Sequence, residues 1–175
     1  MTERKAIPSP QAPGQASLWH IHSLESLAKI DRAIRGGTDA EQVMGKALDA
    51  VLEIFDADRA WLLYPCDPEA PSWRVPIERT RPEYPGAFDN NVEAAMTPDA
   101  AEAMRAVLGT PEPISGVLLP GEPEYDPDDR FGIRSYLITA VHPRVGKPWE
   151  FGLHQCSHAR VWTDEQRLLF QEISG

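Results

Sequence analysis

The chain has 175 residues, 42% of them hydrophobic, with 17 prolines and a formal net charge of −10. That length suits one domain with a core of its own, and the prolines point to long irregular connections between short elements. The acidic balance, with a pI near 4.9, argues against a nucleic-acid surface, which needs clustered Lys and Arg, and against adhesion to anionic lipid. Met1 to Gln15 holds Arg4 and Lys5 with no apolar core behind them and does not read as a secretory signal. Apolar runs such as Ala60 to Tyr64 are far too short to cross a bilayer, so no membrane insertion by this segment is expected. Two cysteines, Cys66 and Cys156, make neither a disulfide framework nor a structural zinc site, and a reducing cytoplasm is the simplest location.

Residues 1–17, with Pro8, Pro10, Pro13 and Gly14 among small polar residues, are expected to form a mobile leader or linker. From Leu18 the pattern turns helical, with Ile21, Leu24, Leu27, Ala28 and Ile34 at three- and four-residue steps, until Gly36-Gly37 stops it. Thr38 or Asp39 caps a second helix lined by Val43, Ala47, Ala50, Val51 and Ile54. Ala60 to Tyr64 reads as a buried strand, and Trp73 to Arg79 as its return, with Pro76 confining that strand to an edge or a bulge. Residues 80–96 read mostly as loop, and Thr97-Pro98 opens a helix that Gly109 closes.

Residues 112–119 are expected to form a short strand, Gly121 to Asp129 an acidic loop, and Ile133 to Val141 a central strand. Phe151, Leu153 and Gln155 alternate with Gly152, His154 and Cys156, a strand with two distinct faces. After Trp162 the period changes. Thr163 with Gln166 forms a capping box, and Leu168, Leu169 and Ile173 follow at helical spacing. The order α-α-β-β-loop-α-β-β-β-α has no internal repeat, and its hairpins favour an antiparallel sheet in an α+β fold. The last helix runs into Ser174-Gly175 with its apolar pattern unfinished, so residues 18–175 are expected to be one domain cut inside that helix, with an output domain following.

Trp149, then His154-Gln155-Cys156-Ser157, then Arg160, Trp162 and an acidic helix start resemble the closing strand and helix of a GAF domain. The wording His-Gln-Cys-Ser is similar to GAF domains of sensor histidine kinases and of phytochrome-related photoreceptors. The likeness spans most of residues 20–174, upstream more by order of elements than by signature residues. It implies a GAF-like antiparallel sheet with the terminal helices on one face and a ligand pocket under helix and loops on the other. It also implies a cytoplasmic regulatory module that binds a small molecule and controls a histidine kinase of a two-component system. A homodimer through Leu18–Arg35 and Asp164–Ser174 would bury the stripe of Leu24, Leu27, Ile34, Leu168 and Ile173.

In the photoreceptor relatives the histidine of this motif looks into the chromophore pocket. That resemblance makes His154 the first candidate ligand contact, joined by Tyr136, Trp149 and Cys156. Covalent bilin is not expected, since neither Met1–Tyr64 nor Pro111–Arg134, where those families carry the attachment cysteine, contains a Cys. For a heme variant, only residue type speaks for His142 or His154 as axial ligand. The competing class is a stand-alone GAF-fold enzyme reducing free methionine sulfoxide, which needs an accessible thiolate and a resolving cysteine. Cys66 stands beside Asp67 and Glu69, whose charge raises a thiol pKa, and Cys156 is expected inside a strand. A purely structural dimerisation module with a filled pocket is the third reading. No phosphate loop, HExxH helix or Gly-x-Ser-x-Gly elbow appears, so no catalytic residue and no metal ligand is expected in this segment.

Overall fold

The computed structural model describes residues 13–35, 39–89, 92–121 and 130–175. Expectations for residues 1–12, for the Gly36-Gly37 stop and for residues 122–129 of the acidic loop lie outside the described residues. Helix α1, Pro13–Ile34, starts ahead of the expected Leu18. Proline is well placed in a first helical turn, where its missing N–H is no loss, so residues 13–17 extend the helix and not the leader.

Helix α2, Ala40–Phe55, is capped by Asp39, whose side chain accepts from the Gln42 amide at 2.8 Å, and ends at Asp56 with a left-handed φ of 47°. Strands β1 (Arg59–Tyr64), β2 (Ser72–Thr80) and β3 (Glu93–Ala95) follow, then helix α3 (Pro98–Leu108) with Thr97 as N-cap and proline in its first turn. Strands β4 (Ile114–Val117), β5 (Ser135–Val141) and β6 (Trp149–Gln155) lead to helix α4, Asp164–Ser174, where the Thr163/Gln166 capping box is formed in both directions. Only β3 was not foreseen; it is a short edge strand inside the segment read as loop.

The sheet is six-stranded in the order β3-β2-β1-β6-β5-β4, and every pairing is antiparallel. Pro76 sits at a bulge: Leu62 pairs with Ile77 and Tyr64 with Arg74, so β2 carries one residue more than β1 between those pairs. On its other side β2 meets β3 only over Ser72–Arg74, so no partner asks Pro76 for an N–H. The first and last strands, β1 and β6, lie side by side at the centre. Their alternate residues therefore feed two cores.

One core lies between the sheet and α1, α2 and α4, where Leu48, Val51 and Phe55 meet Ala60, Phe151, Leu153, Trp162 and Phe170. Phe151 stacks on Phe170 with centroids 4.4 Å apart, and Phe55 meets Phe170 and Trp162 edge-on. The other core, on the opposite face, gathers Trp61, Leu63, Cys66, Val75, Ala87 and Met104. The second face carries the site.

Candidate functional site: a cavity beside His154

Strand alternation turns Arg59, Trp61 and Leu63 of β1 to the second face, together with Gly152 and His154 of β6. The register sets Arg59 against His154 and Trp61 against Gly152. Gly152 is required there, because a Cβ would stand 2.2 Å from Trp61 Cζ2. With no side chain in the way the indole lies across β6, and its Nε1–H donates to His154 Nε2 at 3.2 Å.

Arg59, 1% exposed, holds this face together. Its Nη2 donates to the carbonyls of Tyr84, Pro85 and Phe131, which ties β1 to both segments that roof the site. Its Nε lies 3.5 Å from Glu78 Oε1 in a buried ion pair, and Glu78 Oε2 accepts from the Phe88 amide at 2.9 Å. Burial raises the Glu78 carboxyl above its ordinary 4.5, against the lowering pull of the Phe88 amide and Arg59. The loop comes close enough for this only at glycine, since a Cβ on Gly86 would overlap the Glu78 carboxylate.

Between these groups is a cavity of about 170 Å³ lined by Arg59, Trp61, Leu63, Trp73, Val75, Glu78, Ala87, Phe131, Ile133 and His154. Its polar end is short of acceptors. Burial, and then the Arg59 charge, hold the His154 imidazole well below its ordinary pKa of 6.5, so the ring is neutral and has one acceptor nitrogen. Two donors compete for it, Arg59 Nη1 at 3.1 Å from Nδ1 and Trp61 Nε1 at 3.2 Å from Nε2, so whichever tautomer the ring adopts, one of these N–H groups faces a ring N–H. Arg59 Nε and Trp73 Nε1 are also buried without a hydrogen-bond acceptor.

Of the residues expected to touch a ligand, His154 lines the cavity and the others do not. Tyr136 pairs with His154 across β5 and β6, but its ring lies over Gly116 of β4, where a Cβ would be 2.5 Å from it. Trp149 falls in step with Phe151 and Leu153 on the helix-covered face, where it helps line a separate apolar groove with Ile30, Met44, Val51 and Ile173. Its ring also packs against Tyr64. Cys156 follows β6, with Sγ 3.8 Å from the Phe131 carbonyl, outside the cavity wall. Trp61, readable from the sequence as core or pocket wall, is wall here; Arg59 and Glu78 were missed, although the alternation Arg59, Trp61, Leu63 on an apolar strand was the available signal for Arg59.

The rest of the His-Gln-Cys-Ser stretch forms a latch. Asp58, fully buried, accepts on Oδ2 from Gln155 Nε2 at 2.7 Å, the Cys156 and Ser157 amides at 2.8 and 2.7 Å, and Ser157 Oγ at 2.7 Å. Burial is the largest influence on this carboxyl and pushes its pKa up. The Ser157 amide and hydroxyl, the Cys156 amide and Arg81 together outweigh burial and hold it below 3.8. Gln155 Oε1 accepts from Arg160 Nη1, which also donates to the Phe55 carbonyl at 2.9 Å, while the guanidinium stacks 4.1 Å over Trp162. The β6–α4 connection is thus clamped to the α2–β1 turn.

Neither cysteine forms a disulfide, and both are buried. Burial, then the Glu150 and Asp67 charges, push the Cys66 thiol up to about 12. Such a thiol is the opposite of the exposed, low-pKa nucleophile that sulfoxide reduction needs. Among the described residues, no group of three or more His, Cys, Asp or Glu could hold a metal ion. No described helix is long and apolar enough to cross a membrane.

No protein-family model matches this chain, and no curated protein matches it. Solved structures do. The GAF domain of a phosphoenolpyruvate-protein phosphotransferase from Coxiella burnetii superposes with a TM-score of 0.63 at 15% identity, covering 88% of this chain and 89% of that one. A far-red absorbing dark state with bound biliverdin IXa gives 0.67 at 14% identity, over 85% and 93%. The chromophore-binding domain of Stigmatella aurantiaca phytochrome P1 gives 0.64 at 14% identity, over 99% of this chain and 60% of that one. Identities this low speak to architecture alone, and the architecture they share with this chain is the GAF fold.

Proposed function

We propose that this chain is a cytoplasmic sensory domain of a multidomain signalling protein, which binds a small molecule beside His154 and relays occupancy through α4. The carrying observation is continuity: His154 lines the cavity, the next residues form the Asp58 latch, and the latched connection starts α4. A ligand needs only ~1–3 kcal/mol of preference between two settings of α4 to shift their ratio about 5- to 150-fold. The resemblance of Trp149–Ser174 to GAF domains of sensor histidine kinases supports a two-component kinase as the parent. Exposed apolar residues on α1 and α4, Leu24 at 66% and Leu168 at 50% exposure, support a parallel homodimer through those helices.

Covalent bilin attachment is not part of this reading, since neither cysteine lines the cavity. A screen of small molecules by thermal shift tests it. A compound that raises Tm in the natural sequence and loses its effect in His154→Ala is the expected result. If no compound raises Tm, the structural dimerisation reading replaces this one.

A further inference from the structure

Building on the small-molecule reading above, we infer that the ligand is a neutral, single-ring compound carrying one hydrogen-bond acceptor, such as an aryl ketone, with the acceptor seated at the His154–Arg59 end of the cavity. The cavity is about 170 Å³, close to the roughly 150 Å³ of an engineered apolar cavity that stays dry and holds benzene. A multi-ring pigment exceeds that volume, and Arg59 holds the Tyr84–Pro85 and Phe131 segments beside it to β1.

Donors outnumber acceptors at this end: neutral His154 offers one acceptor nitrogen to two donors, Arg59 Nη1 at 3.1 Å and Trp61 Nε1 at 3.2 Å, and adds a ring N–H of its own. A ligand acceptor at this end takes an N–H that the imidazole leaves without a partner, whereas a ligand donor adds to the surplus. Arg59 is already paired with Glu78, which also lines the cavity, and His154 is neutral. The wall therefore carries no uncompensated positive charge, and a buried carboxylate would lose its hydration for no net gain and meet Glu78. The remaining wall, Leu63, Trp73, Val75, Ala87, Phe131 and Ile133, takes the ring.

Calorimetric titration of the whole chain at neutral pH with acetophenone, toluene, benzoate and biliverdin tests this. Acetophenone should bind one to one, at least tenfold more tightly than either toluene or benzoate, and biliverdin should not bind. In His154→Leu the advantage of acetophenone over toluene should vanish while toluene still binds. The ranking within the natural sequence decides the matter even where that variant does not fold. Tighter binding of benzoate or biliverdin than of acetophenone overturns the ligand class and leaves the small-molecule reading standing. Binding of none of the four, with no other compound raising Tm, overturns both.

Discussion

Glu150 shows how one residue departs from what its position in a strand suggests. It is buried on the same face of β6 as His154, opposite Leu63 and Ala140, and its side-chain partner is the Cys66 thiol at 3.9 Å. Burial, only partly offset by that thiol, moves its pKa from 4.5 up to about 7. The folded chain therefore holds this proton more tightly than the unfolded one. Its contribution to stability is full below 4.5 and declines as pH rises to about 7. Glu150→Gln should thus stabilise the protein at pH 8, by on the order of 3 kcal/mol for a shift of that size, and make little difference at pH 4. Urea unfolding at the two pH values checks this, and an equal gain at both would contradict it. Gly152 makes a steric case on the same strand. Gly152→Ala puts a Cβ against the Trp61 ring, which should cost about 1–3 kcal/mol in overpacking and change the tryptophan fluorescence as the indole leaves His154.

At the scale of elements, the latch between β6–α4 and α2–β1 is where local sequence and long-range structure meet. Gln155→Ala leaves Arg160 and Asp58 each short of a partner and should cost about 1–3 kcal/mol in thermal or urea unfolding. Asp58 has its pKa depressed, so its contribution is present above 3.8 and lost as pH falls through the lower folded value. Asp58→Asn should accordingly be destabilised near neutral pH and show less additional loss on acidification than the natural sequence.

What was legible in the sequence follows the same division. Helices α2, α3 and α4 could be placed from Asp39, Thr97-Pro98 and the Thr163/Gln166 box, because a cap is an interaction between residues three apart. The face of His154 could be read from alternation, and Pro76 marked its own bulge. The partners of His154 could not be read, since Arg59 and Trp61 reach it only through the β1–β6 register, set by pairing between the two ends of the chain. Trp149 was drawn to the cavity by the resemblance and lies on the other face by parity. The latch role of Gln155 and Ser157 depends on Asp58, which lies 97 and 99 residues away in the chain.

For the whole molecule, the two faces of the sheet carry separate cores. On the helical face Leu27 and Ile173 pack partly into the chain's own core, while Ile21, Leu24 and Leu168 stay exposed. Changing Leu24 and Leu168 to Glu should leave a folded monomer by light scattering where the natural sequence is a dimer. A natural sequence already monomeric at high concentration would contradict that surface. On the other face, the proposed function has the cavity beside His154 bind a small molecule and β6 carry the effect to α4. The most direct test is a nitrogen–proton NMR titration with acetophenone, following the Trp61 indole N–H and the backbone amides of residues 152–157 and 164–174. Saturable shifts at Trp61 and along 152–157, extending into α4, are the expected result. Shifts confined to the Ile30–Trp149 groove, or at Trp61 with α4 unmoved, would contradict the account.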